Sequence, residues 1–252
     1  ATNACLNALE SAKRRELPSG LGHETTAPDA PFVRGEVPWL EPFPDADVAA
    51  ADPLAALVAR GTLRLALVAA MQHLPARQRA VLILRDVLDW PAADVAVALE
   101  TTTTAVNSAL DRARATLERA HISVEHVEDA GGARTTLDRY VAAFERADVA
   151  ALRALLAADV VLEMPPMLNW MIGPGAYGAF IERVWTLRGR EWKSVRLSAS
   201  GQAAFAAYVR VADGTFVLHT LQVFEIGLGG IARNTTFQDA AIFARFGLQP
   251  SL

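Results

Sequence analysis

Apolar residues recur at helical spacing through most of the first two thirds of this chain and alternate with polar ones further on, so helices are expected first and strands afterwards. Over residues 1–15, Leu6 and Leu9 lie one turn apart and Lys13, Arg14 and Arg15 stand where cations oppose a helix dipole, which predicts the end of a helix. The stretch 18–52 is broken by Pro18, Pro28, Pro31, Pro38, Pro42 and Pro44 and reads as an extended linker. Its Trp39 and Phe43 are unusual for a solvated tether and are expected to dock on a neighbouring surface.

Helical spacing resumes from Pro53 to about His121. Leu63, Leu67, Ala70 and Leu74 form one face, Pro75 can open a helix carrying Val81, Leu82, Leu84 and Leu88, and Pro91 can open another with Val95 and Leu99 inside. After a break at Glu100-Thr101, Thr102 is a candidate N-cap for a helix with Val106, Leu110, Ala113 and Leu117 on one stripe. Residues 122–133, with Gly131-Gly132, read as a second linker. Helices are then expected around Leu137–Phe144, Leu152–Leu156 and Ala179–Leu187, and strands near Val160–Met164, Lys193–Ser198, Ala204–Val211, Phe216–Glu225 and Ile231–Phe237. This order predicts a multidomain chain, an all-α unit over 53–121 followed by an α+β unit over 134–248 whose strands form an antiparallel meander.

Composition narrows the classes. With 52% hydrophobic residues and a net charge of −4, disorder and collagen-like structure are excluded. A single cysteine, Cys5, permits no intrachain disulfide and favours a reducing compartment, with the cytoplasm expected; no apolar stretch approaches the roughly 20 residues of a membrane helix. The opening has no secretory signature and reads as a chain that begins inside a larger one. No Gly-rich phosphate loop, His pair at metal spacing or nucleophile elbow is present, so no cofactor or metal is expected.

The helices at 91–100 and about 103–117 have the proportions of a helix-turn-helix, whose second member lies in the major groove. Its candidate DNA-binding residues are Thr102, Thr103, Thr104, Asn107, Ser108, Arg112 and Arg114, with Asp111 on the same side. Asn can bond an adenine edge, Thr methyls can meet thymine, and Arg can read guanine or clamp phosphate. Residues 60–121 carry only 8 basic against 6 acidic side chains, a weak electrostatic footprint that calls for a partner to hold the unit on DNA.

The run from Leu74 to Leu117, including Leu74-Pro75-Ala76-Arg77-Gln78-Arg79 and Ala105-Val106-Asn107-Ser108-Ala109-Leu110-Asp111-Arg112-Ala113-Arg114, resembles region 4 of the extracytoplasmic-function sigma factors of the sigma-70 superfamily. Ala1 to Leu9 resembles the end of region 2 of that family, most of which this chain lacks. The linker's Val37-Pro38-Trp39-Leu40-Glu41-Pro42-Phe43-Pro44-Asp45 and the last part of the chain resemble the subgroup with a SnoaL-like C-terminal extension. The resemblance implies recognition of the −35 promoter element from the helix beginning near Thr102, docking on the β flap of RNA polymerase core, and a regulatory C-terminal domain. It implies binding without independent initiation. The family usually has Gly where this chain has Glu100, so the turn is either reshaped or strained there.

Residues from about Arg134 to Phe246 resemble the SnoaL-like, nuclear-transport-factor-like cone, a curved sheet closed by helices around a pocket. Relatives include cyclases and isomerases in which a pocket Asp or His moves a proton. Pocket candidates are Trp170, Tyr208, His219, Gln222, Asn234 and Asp239, with Glu163, Met171 and Glu225 nearby in the pattern. A lone His in an apolar strand is more often a hydrogen-bonded core residue than a catalyst, and the domain is expected to be non-catalytic. The alternatives to a sigma factor are a DNA-binding regulator responding to a small molecule in the cone, and a cyclase or isomerase with an accessory helical domain.

Overall fold

The computed structural model describes residues 15, 17–21, 24–25, 27, 29–49, 68, 71–119 and 130–252. The helix expected before residue 15, the face running through Leu63 and Leu67, and most of the second linker lie outside the described residues.

The linker forms a short 3-10 turn, Pro18–Gly20, and one helix, α1 (Asp45–Ala49). The helical unit follows as α2 (Ala76–Leu82), which runs on into a π turn over Ile83–Val87, then α3 (Ala92–Ala98) and α4 (Thr103–Arg119). Pro75 and Pro91 stand at the N-caps of α2 and α3, where a fixed φ helps and a missing N–H costs nothing. Thr102 caps α4 as expected, its Oγ1 accepting from the Ala105 amide at 3.2 Å. Val106, Ala109, Leu110, Ala113 and Leu117 are buried along one stripe of α4 against the packed faces of α2 and α3. Leu88, expected among the apolar residues of the helix that Pro75 opens, lies at the end of the π turn and is 41% exposed.

The turn between α3 and α4 is not reshaped around its glutamate. Glu100 sits at φ +50°, while its own amide reaches the Val97 carbonyl and the Thr101 amide reaches the Ala96 carbonyl. The helix end therefore keeps the left-handed geometry that glycine would occupy without a Cβ clash.

The α+β unit runs α5 (Ala130–Glu145), α6 (Val149–Arg153), β1 (Leu156–Glu163), β2 (Trp170–Ile172), α7 (Gly173–Arg188), β3 (Trp192–Ala199), β4 (Gln202–Arg210), β5 (Phe216–Gly227), β6 (Gly230–Phe237) and α8 (Ala240–Arg245). Strands β3 to β6 form the expected antiparallel meander. The whole sheet is mixed, in the order β2-β1-β6-β5-β4-β3, because β1 returns beside β6 and runs parallel to it. Gly131-Gly132, expected in a linker, fall in the first turn of α5; docking of Leu137, Tyr140, Val141 and Phe144 carries the helix back through them. Helix α7 likewise starts at Gly173 rather than Ala179, with Pro174 in its first turn.

The sheet is apolar on both faces. Phe205, Ala207, Phe224 and Ile226 face α5 and α7 with Tyr140, Phe144 and Trp185. On the opposite face, Ala204, Leu221, Val223 and Phe237 belong to one buried cluster that continues through Ile242 and Leu17 into Leu74, Val95 and Leu110 of the helical unit. The two units thus share a core.

Glu100→Gly should raise the stability of the chain by about 0.5–1 kcal/mol, the relief of the left-handed Cβ less the extra entropy of the unfolded glycine. A urea midpoint that rises at unchanged slope is the expected result; an unchanged or lower midpoint would show that the turn carries no strain.

Candidate functional site

The first surface with chemical potential is the outer flank of α4. Thr102, Thr103, Thr104, Asn107, Asp111 and Arg112 are exposed and Ser108 is half-buried, on the side opposite the apolar stripe. Arg114 behaves differently from its sequence-based assignment. It makes a fork with Asp86 of the π turn, Nε to Oδ2 at 3.0 Å and Nη2 to Oδ1 at 2.9 Å, and so braces α4 against its neighbour. Its periodicity placed it beside Arg112, but a side chain one position off the outer face is within reach of the π turn that follows α2.

The second feature is the linker, which lies on the α+β unit as a strap. At its start, the Ser19 amide and hydroxyl donate to Glu163 Oε2 at 3.1 and 2.7 Å. Glu163 is fully buried; Arg233 Nη1 donates to its Oε1 and to Ser19 Oγ, and Thr235 Oγ1 donates to the same Oε1. Glu225 lies 3.9 Å from Arg233 Nε and completes the cluster. Further along, Asn169 accepts from the Val33 amide and donates to the Pro31 carbonyl, and the amides of Gly35 and Leu168 reach the carbonyls of Pro166 and Val33. Trp39 packs against Gly35 so closely that a Cβ there would stand 2.5 Å from its ring. Phe43 is half-buried and pairs its backbone with Ser200, and the Gly201 amide donates to Asp45, whose carboxyl burial pushes up in pKa.

The third feature is a cavity of about 310 Å³ on the inner face of the sheet. Phe144, Leu162, Phe180, Ile181 and Trp192 supply apolar wall, and His219, Thr220, Gln222, Thr236 and Gln238 supply the polar groups. Of the sequence-based pocket residues, His219 and Gln222 line it. Asn234 stands behind Gln222 and fixes its amide, donating to Gln222 Oε1 at 2.9 Å and to the Tyr177 hydroxyl at 2.6 Å. The Tyr177 and Tyr140 hydroxyls pair at 2.6 Å, and burial pushes both phenols above their ordinary range, so they remain protonated.

Three of the pocket assignments are corrected by strand alternation and capping. Tyr208 follows the inward Ala207, points to the other face and donates to the Gln249 carbonyl at 3.0 Å. Trp170 lies on the edge strand β2 outside the cavity, its carbonyl accepting from Thr25. Asp239 caps α8, accepting from the amides of Ala241 and Ile242. Glu163 faces the strap rather than the cavity, and Glu225 stands beside it against Arg233. Residues that sequence reasoning passed over are Ser19, Phe32, Arg34, Asn169, Arg183 and Arg188; Phe32, an aromatic in a Pro-rich segment like Trp39, carried the one usable signal.

His219 Nε2 is buried in the cavity wall without a hydrogen-bond partner, and its ring meets Trp192 edge-on at 5.4 Å. Burial, and then the neighbouring Arg188 charge, lower its pKa from 6.5 to about 4. The neutral ring is a weak base. Among the described residues no group of His, Cys, Asp and Glu gathers as a metal site, and no helix is long and apolar enough to cross a membrane.

Two measurements check these assignments. Because the unfolded chain takes up a proton on His219 that the folded chain refuses, stability present above about pH 6.5 should be lost as pH falls toward about 4, and His219→Gln should flatten that part of the stability profile. An identical pH profile for both proteins would refute the shift. Glu163→Ala leaves the buried Arg233 with only the more distant Glu225 as counter-charge and should cost about 3–5 kcal/mol in urea unfolding, with faster proteolysis of the strap; a loss below about 1 kcal/mol would show that the cluster is solvated.

Residues 64–117 match the sigma-70 region 4 family and residues 137–234 the SnoaL-like domain family. Over its whole length the chain is 42% identical to the ECF RNA polymerase sigma factor SigG of Mycobacterium tuberculosis, in both strain CDC 1551 / Oshkosh and strain H37Rv, covering 69% of that protein. The crystal structure of the extracytoplasmic function sigma factor SigJ of Mycobacterium tuberculosis shares the fold, with a TM-score of 0.59 and 19% identity over 97% of this chain and 79% of SigJ. A chain that carries a region 4 helix-turn-helix and a SnoaL-like cone, and that matches SigG along the whole of its own length, belongs to the extracytoplasmic-function sigma factor family.

Proposed function

We propose that this sigma factor reads the −35 promoter element with the outer flank of α4 while RNA polymerase core holds it on the DNA. The observation that carries the reading is the division of that helix. Its apolar stripe is satisfied inside the helical unit, and Thr103, Thr104 and Asn107 stand exposed in its N-terminal half, the part of a recognition helix that meets base edges, with Arg112 exposed just past its middle. Thr102 and Ser108 flank these residues and suit phosphate or base contacts, whereas Arg114 acts on the interface through Asp86. Leu88, Trp90 and Val97, at 41%, 41% and 80% exposure, offer apolar side chains on the same unit for the β flap of the polymerase. Polymerase binding accounts for the weak positive charge of the helical unit, since the complex rather than the isolated chain supplies the affinity.

The cone is the regulatory domain. It holds the linker and shares a core with the helical unit, so any shift of the strap alters how the helical unit is presented. Catalysis in the cone is disfavoured by the same geometry: the buried carboxylate Glu163 is spent on Arg233 and Ser19, and His219 is neutral and weakly basic. A small molecule occupying the cavity is the natural input to such a domain.

In complexes of the full chain with polymerase core, Asn107→Ala and Arg112→Ala should each weaken binding to a −35 duplex by about 1–3 kcal/mol. Scrambling the element should erase the difference between wild type and variants. Equal affinity for native and scrambled duplexes would overturn sequence reading by α4. Trp39→Ala and Phe43→Ala should loosen the strap and change transcriptional output; unchanged strap protection and output in both would overturn the regulatory role of the linker.

A further inference from the structure

The cavity combines an apolar interior with an electrostatic bias that the sigma reading does not use. Three arginines line it, Arg34, Arg183 and Arg188, and among the described residues that line it there is no Asp or Glu. Arg34 and Arg188 are exposed and so stand at its mouth. Arg183 is partly engaged, with its Cζ 5.6 Å from the centre of the Phe32 ring. Like charges around a low-dielectric hollow raise the local potential and favour an anion. Deeper in, the unpartnered Nε2 of His219 and the fixed amide of Gln222 can meet a polar group, and a buried nitrogen left without a partner costs on the order of 1–3 kcal/mol until something supplies one. The volume, about 310 Å³, falls at the small end of the range of roughly 300–1,000 Å³ for ligand pockets.

The linker also contributes to the wall. Phe32 meets Phe180 edge-on with ring centres 6.2 Å apart, and Arg34 follows it along the rim, both on the segment whose backbone is tied to Pro166 and Leu168. A molecule seated in the cavity would touch the cone and the strap together.

We propose that the cavity binds a small hydrophobic carboxylate, its acid group held by Arg34 and Arg188 and its apolar body by Phe144, Phe180 and Trp192, and that this ligand fixes the linker on the cone. The transcriptional consequence rests on the regulatory reading of the cone given above; the binding itself does not. Ligand binding adds stability only to the conformation that presents both walls, so occupancy and strap docking rise together.

The test uses the full chain with 4-phenylbutyrate and its neutral amide, 4-phenylbutanamide, followed by tryptophan fluorescence and thermal shift. The acid should bind at least tenfold more tightly than the amide. Arg188→Gln should remove most of that preference. Leu187→Glu, at a lining position 67% exposed and therefore tolerant of the change, should reverse it by placing a carboxylate at the mouth. Bound acid should slow hydrogen exchange at the amides of Gly35 and Leu168, which bond across the strap at 2.9 and 2.7 Å. Equal binding of acid and amide, binding of neither, or a preference untouched by both substitutions would overturn the anion site. Tight binding without added protection at Gly35 and Leu168 would overturn its coupling to the linker. Binding of unliganded chain and polymerase core to the −35 duplex, measured on the same preparations, separates the two readings: its absence counts against α4 as a promoter reader and leaves the result at the cavity standing.

Discussion

A sheet with apolar side chains on both faces has to be covered twice, and that requirement organises the molecule. Helices α5 and α7 cover the inner face over Phe205 and Phe224. The outer face, with Leu221, Val223 and Phe237, is covered by α8, the linker and the packed core of the helical unit. Each fully buried Leu, Val or Phe contributes roughly 1.5–3 kcal/mol, so separating the units would expose apolar surface that neither can hide alone. The buried Glu163–Arg233 pair adds selectivity to this contact. Desolvating two charges is costly, and here the cost is offset by Thr235 and by the amide and hydroxyl of Ser19, which only the docked linker can provide.

The same arrangement explains why the helix-turn-helix can be both packed and available. Its apolar needs are met by Val81, Leu82, Val95 and Leu99, with the Arg114–Asp86 fork fixing the angle between α4 and the π turn. The flank carrying Asn107 and Arg112 is therefore left to water. Under the regulatory reading proposed for the cone, control acts by moving or holding the whole helical unit, because that flank is already exposed. The linker is the element placed to do this, since it touches the sheet at Glu163, the β1–β2 connection at Pro166 and Leu168, and the β3–β4 turn at Ser200.

Inside the cone, polar groups sort into satisfied and unsatisfied sets. Tyr140, Tyr177, Asn234 and Gln222 form a connected network whose members have partners, which rigidifies the base of the cavity. His219 stands outside that network, with Arg188 opposing its protonation. A site whose fixed part is a neutral amide and whose rim is cationic is suited to holding an anion and poorly suited to general-base chemistry.

Helix boundaries near Thr102, the inward stripe of α4 and the order of the last four strands could be read from spacing alone, because each depends on a local period of 3.6 or 2 residues and on a cap or turn at its end. The resemblance of Leu74–Leu117 to a known module carried the function for the same reason: local pattern encodes that module. The parallel partner of β1, the inclusion of Gly131-Gly132 in α5 and the makeup of the cavity were not legible, since each is settled by residues distant in sequence. Arg114 and Asp239 show the limit most plainly: one turned to a carboxylate 28 positions away and the other to its own helix, although composition suited both to a site. Which side chains meet is a question of long-range packing and charge pairing, and those energies exist only once the sheet has been covered on both sides.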